Sequence, residues 1–288
     1  MTTPVRPLRL RPGDLSPLRI DEALVRRMLV SFLRDETAKA GMRRVVLGLS
    51  GGVDSAVVAA LAAEAFGPER VTALFTPYRT SAPASREHSQ LVADRYGLAL
   101  EEIEITAQVD AFFSRMPNAD RVRIGNKMAR ERKSIEYDRS WPDALVLGTS
   151  NKTELLLGYG TQFGDLASAL NPIGDLYKTQ LRELALNVGV PGQVVSKPPS
   201  AELWEGQTDE GELGFGYSEA DLILYGLVDR RMRADDLVSS GFEGTLVSRI
   251  RERVRMSHFK RVMPLIAKVS LRTIGHDFLY PRDWEADL

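Results

Sequence analysis

The feature that most constrains this sequence is a glycine-rich turn between an apolar strand and an alanine-rich helix. The turn is formed by residues 50–55 (SGGVDS), after residues 44–49 (RVVLGL) and before residues 56–66 (AVVAALAAEAF). Two adjacent glycines let the backbone turn sharply and bring its N–H groups close to a ligand. The N-terminus of the following helix attracts anions. The pattern therefore predicts a phosphate-binding turn at the end of a buried strand.

Three side chains of the turn fit the same interpretation. Ser50 and Ser55 offer hydroxyl donors, and Asp54 can ligate a magnesium ion bound to the same phosphates. The alternative is that these residues only cap a helix, since serine, aspartate and glycine are all common at helix N-termini. The complete six-residue pattern between a strand and a helix favours ligand binding.

Strands and helices alternate along the chain, which is typical of βαβ units and a parallel sheet. We therefore predict an α/β fold with a doubly wound, mainly parallel sheet in a three-layer sandwich. The predicted strands are residues 44–49, 71–76, 101–105 and 144–148, and the predicted helices are residues 20–39, 56–66, 85–96, 122–140 and 178–187.

The organisation predicted for residues 1–288 is a single domain. The amphipathic helix within residues 18–40 is a candidate dimer contact. Residues 197–217 are rich in proline, glycine and acids, and we expect a long, mobile lid loop there. The basic segment 249–261 is predicted to be helical.

Composition excludes several function classes. A formal net charge of −1 argues against a protein that binds nucleic acid or membrane surfaces. The chain contains no cysteine, so a cysteine nucleophile for taking nitrogen from glutamine is absent, and no intrinsic glutaminase is expected. No segment has the length and apolarity of a signal peptide or membrane span, which predicts a cytoplasmic location.

The turn is neither a Walker A loop nor a G-x-G-x-x-G turn. SGGVDS resembles the pyrophosphate-binding loop of the N-type ATP pyrophosphatases, which implies an adenine-nucleotide-hydrolase-like fold. Three further blocks resemble the ammonia-dependent NAD synthetases of that superfamily. These are residues 126–132 (NKMARER), residues 149–178 (TSNKTELLLGYGTQFGDLASALNPIGDLYK) and residues 200–214 (SAELWEGQTDEGELG).

The resemblance implies the residues that hold ATP and Mg²⁺. Asp54 and Glu154 are similar in position to the metal ligands of the family, and Lys178 is similar to the lysine that reaches the phosphates. Asp54 and Lys178 are therefore candidate catalytic residues. The implied ATP-binding set is Gly48, Leu49, Ser50, Gly51, Gly52, Val53, Asp54, Ser55, Arg79, Thr149, Lys178 and Ser200.

The second substrate implied by the resemblance is nicotinic acid adenine dinucleotide, called deamido-NAD. Asp165 is expected near the nicotinate and is also a candidate general base for ammonia. Two positions depart from the family pattern: Gln162 replaces a lysine and Ala169 replaces an aspartate, so an opposite-charge pair is lost together. The implied deamido-NAD-binding set is Asn126, Arg130, Gln162, Asp165, Ala169, Phe259 and Lys260.

The reaction implied is ATP-dependent amidation of deamido-NAD by ammonia through an adenylated carboxylate, with release of AMP and pyrophosphate. The resemblance also implies a homodimer. Two alternatives stay open: another adenylating ligase of the superfamily, and a non-catalytic nucleotide-sensing module. Pyrophosphate release that requires a carboxylate co-substrate separates an enzyme from a sensor.

Overall fold

We analysed a computed structural model that describes residues 10–200, 203–204, 206–262 and 264–278. Four strands form one sheet: β1 (Arg44–Gly48), β2 (Val71–Phe75), β3 (Leu100–Glu102) and β4 (Ala144–Val146). The helices are α1 (Glu22–Lys39), α2 (Val53–Phe66), α3 (Pro83–Tyr96), α4 (Thr106–Phe113), α5 (Arg121–Arg139), α6 (Lys152–Leu157), α7 (Lys178–Asn187), α8 (Gly192–Ser196), α9 (Asp209–Leu213), α10 (Tyr217–Leu224), α11 (Ala234–Ser239) and α12 (Gly244–Met256).

The sheet has the strand order β3-β2-β1-β4, and all three strand pairs are parallel. Val45 of β1 is opposite Val71 on one side and Leu145 on the other. The chain runs outward from β1 to the β3 edge and then crosses back to place β4 beside β1. In sheets of this kind ligands bind outside the carboxyl ends of the strands where the order reverses, which here is between β1 and β4.

Helices cover both faces of the sheet. Alternate side chains of β1 point to opposite faces, and Val45 and Leu47 join α2 in the main apolar core. Gly48 faces α5, where a Cβ atom would lie 2.6 Å from Glu136 Oε1. The predicted doubly wound α/β fold is therefore confirmed.

The two larger apolar clusters hold most of the helices together, and a smaller one joins α4 to α5. The larger one packs α1, α2 and α7 against the sheet. The second one is formed by the C-terminal helices α10, α11 and α12 together with Leu10, Leu18 and Tyr177. Tyr177 immediately precedes Lys178, so both clusters meet at the start of α7.

Several predicted boundaries need correction. Helix α2 begins at Val53, so half of the glycine-rich turn is the first turn of the helix. The third strand ends at Glu102 rather than residue 105. The expectation of a continuous loop over residues 197–217 is wrong for Asp209–Leu213, which form α9 with the Thr208 side chain as its cap. Helices α4, α6, α8, α10 and α11 were not predicted.

Candidate active site

A cavity of about 440 Å³ opens at the carboxyl ends of β1 and β4, at the topological switch point. Its wall is formed by the glycine-rich turn, by α5, by residues 149–165 and by residues 197–212. Lys178 enters from the start of α7, and Arg253 and Lys260 enter from the C-terminal region. The position agrees with the general location of ligand sites in open α/β sheets.

The turn is held open by its own hydrogen bonds. The Ser55 hydroxyl accepts from the Ser50 amide at 3.2 Å and donates to the Gly52 carbonyl at 3.0 Å. Gly51 has φ +77°, and a Cβ atom there would overlap the Ser85 carbonyl oxygen of α3. Because Gly52 caps α2 without a side chain, the first amides of that helix stay available to an anion.

Lys178 joins the two predicted metal ligands. Its ammonium donates to Asp54 Oδ2 at 2.5 Å and lies 3.4 Å from Glu154 Oε1. Asp54 also accepts from Asn151 Nδ2 at 2.8 Å. These residues come from α2, α6 and α7, so the fold brings together groups that are 97 and 124 positions apart.

Two acids and one lysine share this cluster. Burial and the neighbouring charge of Asp54 raise the pKa of Glu154 to about 8. Burial opposes the charged form of Lys178, but Asp54 and Glu154 outweigh it and raise the pKa of that lysine. Lys178 therefore stays an ammonium beside Asp54 and Glu154.

The donor set fits a magnesium ion that also binds phosphate. Among the described residues no group of three or more histidine, cysteine or acidic side chains is arranged to hold a metal alone. Asp54 and Glu154 supply two carboxylates beside the phosphate-binding turn. Mg²⁺ in nucleotide sites typically uses one or two carboxylates and fills its other positions with phosphate and water.

A buried aspartate that the sequence did not single out supports this cluster. Asp221 of α10 is fully buried, and it accepts from Thr153 Oγ1 and from the amide and hydroxyl of Thr179. Thr153 in turn accepts from the Lys178 amide at 3.0 Å. Asp221 thereby ties the start of α6, which carries Glu154, to the start of α7.

Two tyrosines hold a further acid on the cavity wall. Asp209 accepts from the hydroxyls of Tyr159 at 3.0 Å and Tyr217 at 2.9 Å. The Tyr217 ring lies under the Lys178 ammonium, which is 5.3 Å from the ring centroid. Burial raises the pKa of Asp209, and Lys178 opposes that shift. Sequence reasoning missed Asp209 and Tyr217, although Asp209 is in the 200–214 block.

The side of the cavity beneath β1 carries a second buried ion pair. Lys133 Nζ donates to Glu136 Oε2 at 2.6 Å, and both side chains are less than 10% exposed. Burial raises the pKa of Glu136, against the attraction of Lys133. Helix α5 places Glu136 of this pair against Gly48, at the end of β1. They were not predicted, since a basic helix face is usually solvated.

Three of the residues predicted to bind deamido-NAD belong to a hydrogen-bond network on the cavity wall. Asn126 Oδ1 accepts from the Thr161 hydroxyl at 2.7 Å, and Asp165 Oδ1 accepts from the Thr161 amide at 2.9 Å. Lys260 Nζ donates to the carbonyls of Gly158 and Gly160, each at 2.8 Å. Burial raises the pKa of Asp165. Asn126, Asp165 and Lys260 all line the cavity.

The structure places the remaining predicted residues in two groups. Gly48, Leu49, Gly52, Val53, Thr149 and Ser200 line the cavity, together with the Asp54 cluster. Gly51, Arg79, Arg130, Gln162, Ala169 and Phe259 do not line it. Arg79 is exposed and pairs with Asp110. Arg130 and Gln162 are joined to the wall instead: Arg130 donates to the Gln162 carbonyl at 3.2 Å, and Gln162 donates to the Phe259 carbonyl at 3.4 Å.

Fold and site together define the class: an α/β nucleotide-binding enzyme with a phosphate-binding turn and an acidic cluster neutralised by one lysine. Comparison with known proteins is more specific. The profile of the family described as NAD synthase matches residues 25–264. The chain belongs to the NAD synthase family.

Individual relatives agree over nearly the whole chain. The NH₃-dependent NAD⁺ synthetase of Trichlorobacter lovleyi is 58% identical over 94% of this chain and 99% of that protein. The one from Chlorobaculum parvum is 54% identical over 96% and 99% of the two chains.

Solved structures show the same fold. The NH₃-dependent NAD synthetase of Campylobacter jejuni is 33% identical with a TM-score of 0.74, covering 87% of this chain and 100% of that chain. The NMN synthetase of Francisella tularensis is 31% identical with a TM-score of 0.76, covering 86% and 99%.

Proposed function

We propose that this protein converts deamido-NAD to NAD, using ATP to activate the carboxylate and ammonia as the nitrogen donor. The observation that carries the proposal is the convergence of Asp54, Glu154 and Lys178 on the glycine-rich turn, in one cavity with Asn126, Asp165 and Lys260. Family membership and the names of the relatives give the reaction its substrates.

The first half of the reaction activates the nicotinate carboxylate. One carboxylate oxygen attacks the α-phosphorus of ATP, the bond from that phosphorus to the bridging oxygen breaks, and pyrophosphate leaves. Lys178 stabilises the negative charge that develops on the departing group, and the free amides at the start of α2 hold it. Asp54 and Glu154 would hold Mg²⁺, which when bound supplies further charge neutralisation on the phosphates.

The second half of the reaction forms the amide. Ammonia attacks the carbonyl carbon of the mixed anhydride, the bond to the AMP oxygen breaks, and AMP leaves. Asp165 lies on the cavity wall with a raised pKa, and we assign it the acceptor role for the proton that the attacking nitrogen loses. Holding both substrates in one cavity supplies the orientation that each step needs.

We propose free ammonia as the donor, delivered from outside this chain. The sequence has no cysteine to attack a glutamine amide. The relatives that match over nearly their full length are named NH₃-dependent. The chain covers 50% of the glutamine-dependent NAD⁺ synthetase of Acinetobacter baumannii, which is 28% identical to it with a TM-score of 0.64.

We also propose a homodimer that uses α1. Leu24, Met28 and Phe32 lie four residues apart on one face of this helix and are 44%, 60% and 38% exposed. An exposed apolar stripe of this kind is typical of a protein interface. No helix among the described residues combines the length and apolarity needed to cross a membrane. The cytoplasmic location stays a prediction from the sequence.

The test is an assay with ATP, Mg²⁺, ammonium and deamido-NAD, with NAD and AMP followed by mass spectrometry. We expect NAD and AMP in equal amounts, and no pyrophosphate release when deamido-NAD is left out. A parallel assay replaces deamido-NAD with nicotinate mononucleotide, because an NMN synthetase shares the fold. The proposal fails if the mononucleotide is amidated and the dinucleotide is not.

A further inference from the structure

Most cationic side chains in the cavity have a partner within the protein. Lys178 binds Asp54, and Lys133 binds Glu136. Lys260 directs two of its three N–H groups to the carbonyls of Gly158 and Gly160. Each of these three ammonium groups therefore binds an acid or the backbone carbonyls of a turn.

Arg253 differs from these lysines. It lies in the last turn of α12, lines the cavity, and its Nε is buried without a hydrogen-bond partner. Within residues 10–200, 203–204, 206–262 and 264–278, its guanidinium makes neither a hydrogen bond nor an ion pair. Burial and the like charge of Arg249 lower the pKa of Arg253, as expected for a cation without a close counter-ion.

The acid that acts on the pKa of Arg253 makes no ion pair with it. This acid is Glu212, whose Oε2 atom accepts from Gln207 Nε2 at 2.8 Å and lies 2.8 Å from the Tyr159 hydroxyl. A donor such as the Arg253 Nε, buried without a partner, is costly, since its hydrogen bond to water is lost and not replaced. Such a group is consistent with a ligand that supplies the missing acceptors.

Arg253 and the reacting end belong to different parts of the cavity wall. Arg253 lies in the last turn of α12, whereas Lys178 begins α7. The charged residues that shift the pKa of Arg253 are Arg249 and Glu212, and none of Asp54, Glu154 and Lys178 is among them. The nicotinate carboxylate must meet the α-phosphorus of ATP near Lys178, so the anion at Arg253 is a different part of the substrate.

We propose that Arg253 binds the diphosphate of the dinucleotide substrate, and that Lys260 acts as a positioning residue that holds the 158–160 turn beside it. This inference rests on the proposed function. A guanidinium can form two parallel hydrogen bonds to phosphate oxygens, which orients the group as well as attracting it. Lys260 still has one N–H group free to support the same anion.

The test compares Arg253→Gln with Arg253→Lys and with Arg255→Gln. Arg255 is a matched control because it lies in the same turn of α12 but is exposed and pairs with Glu252. Calorimetry measures Kd for deamido-NAD, NAD and ATP. NAD keeps the diphosphate of deamido-NAD but lacks the carboxylate, so the two ligands separate these groups.

For Arg253→Gln we expect Kd to rise about 10- to 100-fold for both deamido-NAD and NAD, the size of a lost hydrogen bond to a charged group. Kd for ATP should change less than about threefold. Arg253→Lys should recover only part of the loss, because it cannot bind two oxygens at once. Arg255→Gln should match the wild type for all three ligands.

A loss confined to deamido-NAD would assign Arg253 to the carboxylate and overturn the proposal. Unchanged affinity for both dinucleotides would also overturn it. The thermal unfolding temperature of Arg253→Gln should be no lower than that of the wild type, since the Arg253 guanidinium makes no hydrogen bond or ion pair in the described part of the chain; if this variant fails to fold, Arg253→Lys decides. If the wild-type protein amidates no deamido-NAD, the proposed function fails, and this inference fails with it.

Discussion

The two ends of the cavity handle charge in different ways. The end proposed to bind ATP, called the ATP end, is formed by the glycine-rich turn with Asp54, Glu154 and Lys178, and opposite charges meet there within the protein. The end proposed to bind the dinucleotide, called the dinucleotide end, is formed by residues 158–165 with Arg253 and Lys260. One of its cations binds backbone carbonyls, and the other has no partner in the described part of the chain. The contrast indicates that the charges at the ATP end are paired before any ligand binds. At the dinucleotide end, the ligand supplies the missing partner.

The largest expected effect concerns the buried ion pair between Lys133 and Glu136. Replacing Glu136 with methionine should lower the free energy of unfolding by about 3–5 kcal/mol, because Lys133 is then buried without a counter-ion. The double variant Lys133→Met with Glu136→Met should recover most of this loss, since no charge is stranded. Urea unfolding of both single variants and the double variant measures the difference. If the stability losses of the two single variants simply add up in the double variant, Lys133 and Glu136 do not neutralise each other.

Asp54→Asn should reduce turnover about 10²- to 10³-fold, the effect of removing one group that stabilises transition-state charge. Asparagine has the size of aspartate but lacks the negative charge that binds Lys178 and would bind the metal. Steady-state kinetics at saturating deamido-NAD gives the measurement, with circular dichroism as the control for folding. More than half of the wild-type activity in this variant would count against the assigned role.

Gly51→Ala tests whether the ATP end is rigid before ligand binding. The new methyl group would overlap the Ser85 carbonyl, and φ +77° is unfavourable for alanine. We expect a destabilisation of about 2–4 kcal/mol in chemical unfolding. Gly13→Ala is the matched control, since Gly13 has φ +80° with no atom within 4 Å of the added Cβ. This control should lose only about 1–2 kcal/mol of unfolding free energy. Equal losses in the two variants would mean that the glycine-rich turn shifts to make room for the methyl group.

The smallest expected effect is at the dinucleotide end. Lys260→Gln should raise KM for deamido-NAD about tenfold, because two charged hydrogen bonds to the 158–160 turn are lost. KM for ATP should stay within about twofold of the wild-type value. A parallel rise in both KM values would remove the distinction between the two ends.

Local sequence was sufficient for the elements around the ATP end. Strand β1, the turn and α2 are continuous in sequence, and their glycines, apolar residues and alanines each predict one local conformation. The same reasoning failed for residues 217–239, where α10 and α11 are separated by a π-helical turn at Tyr225–Asp229. Those short helices depend on packing against α12 and α7 rather than on a strong pattern of their own.

Motif reasoning also had a specific limit at the dinucleotide end. The family resemblance implied Lys260 as a deamido-NAD-binding residue, and the structure places it on the cavity wall. Arg253, seven positions earlier, is one of many arginines on a basic helix, and sequence gives no way to distinguish it from its solvated neighbours. Arg253 differs from them in its buried Nε atom and in the lack of a counter-ion, and both depend on the tertiary structure.

The amino-acid sequence by itself determined the parallel α/β fold, the glycine-rich turn between β1 and α2 and the family, because these depend on short patterns whose physical meaning is local. Tertiary structure alone decided which charges meet: it brought Lys178 to Asp54 across 124 positions and buried Lys133 with Glu136 on α5. It also left Arg253 without a counter-ion in the described chain. Electrostatic partners depend on distance and burial, and neither quantity is encoded in the spacing of residues along the chain.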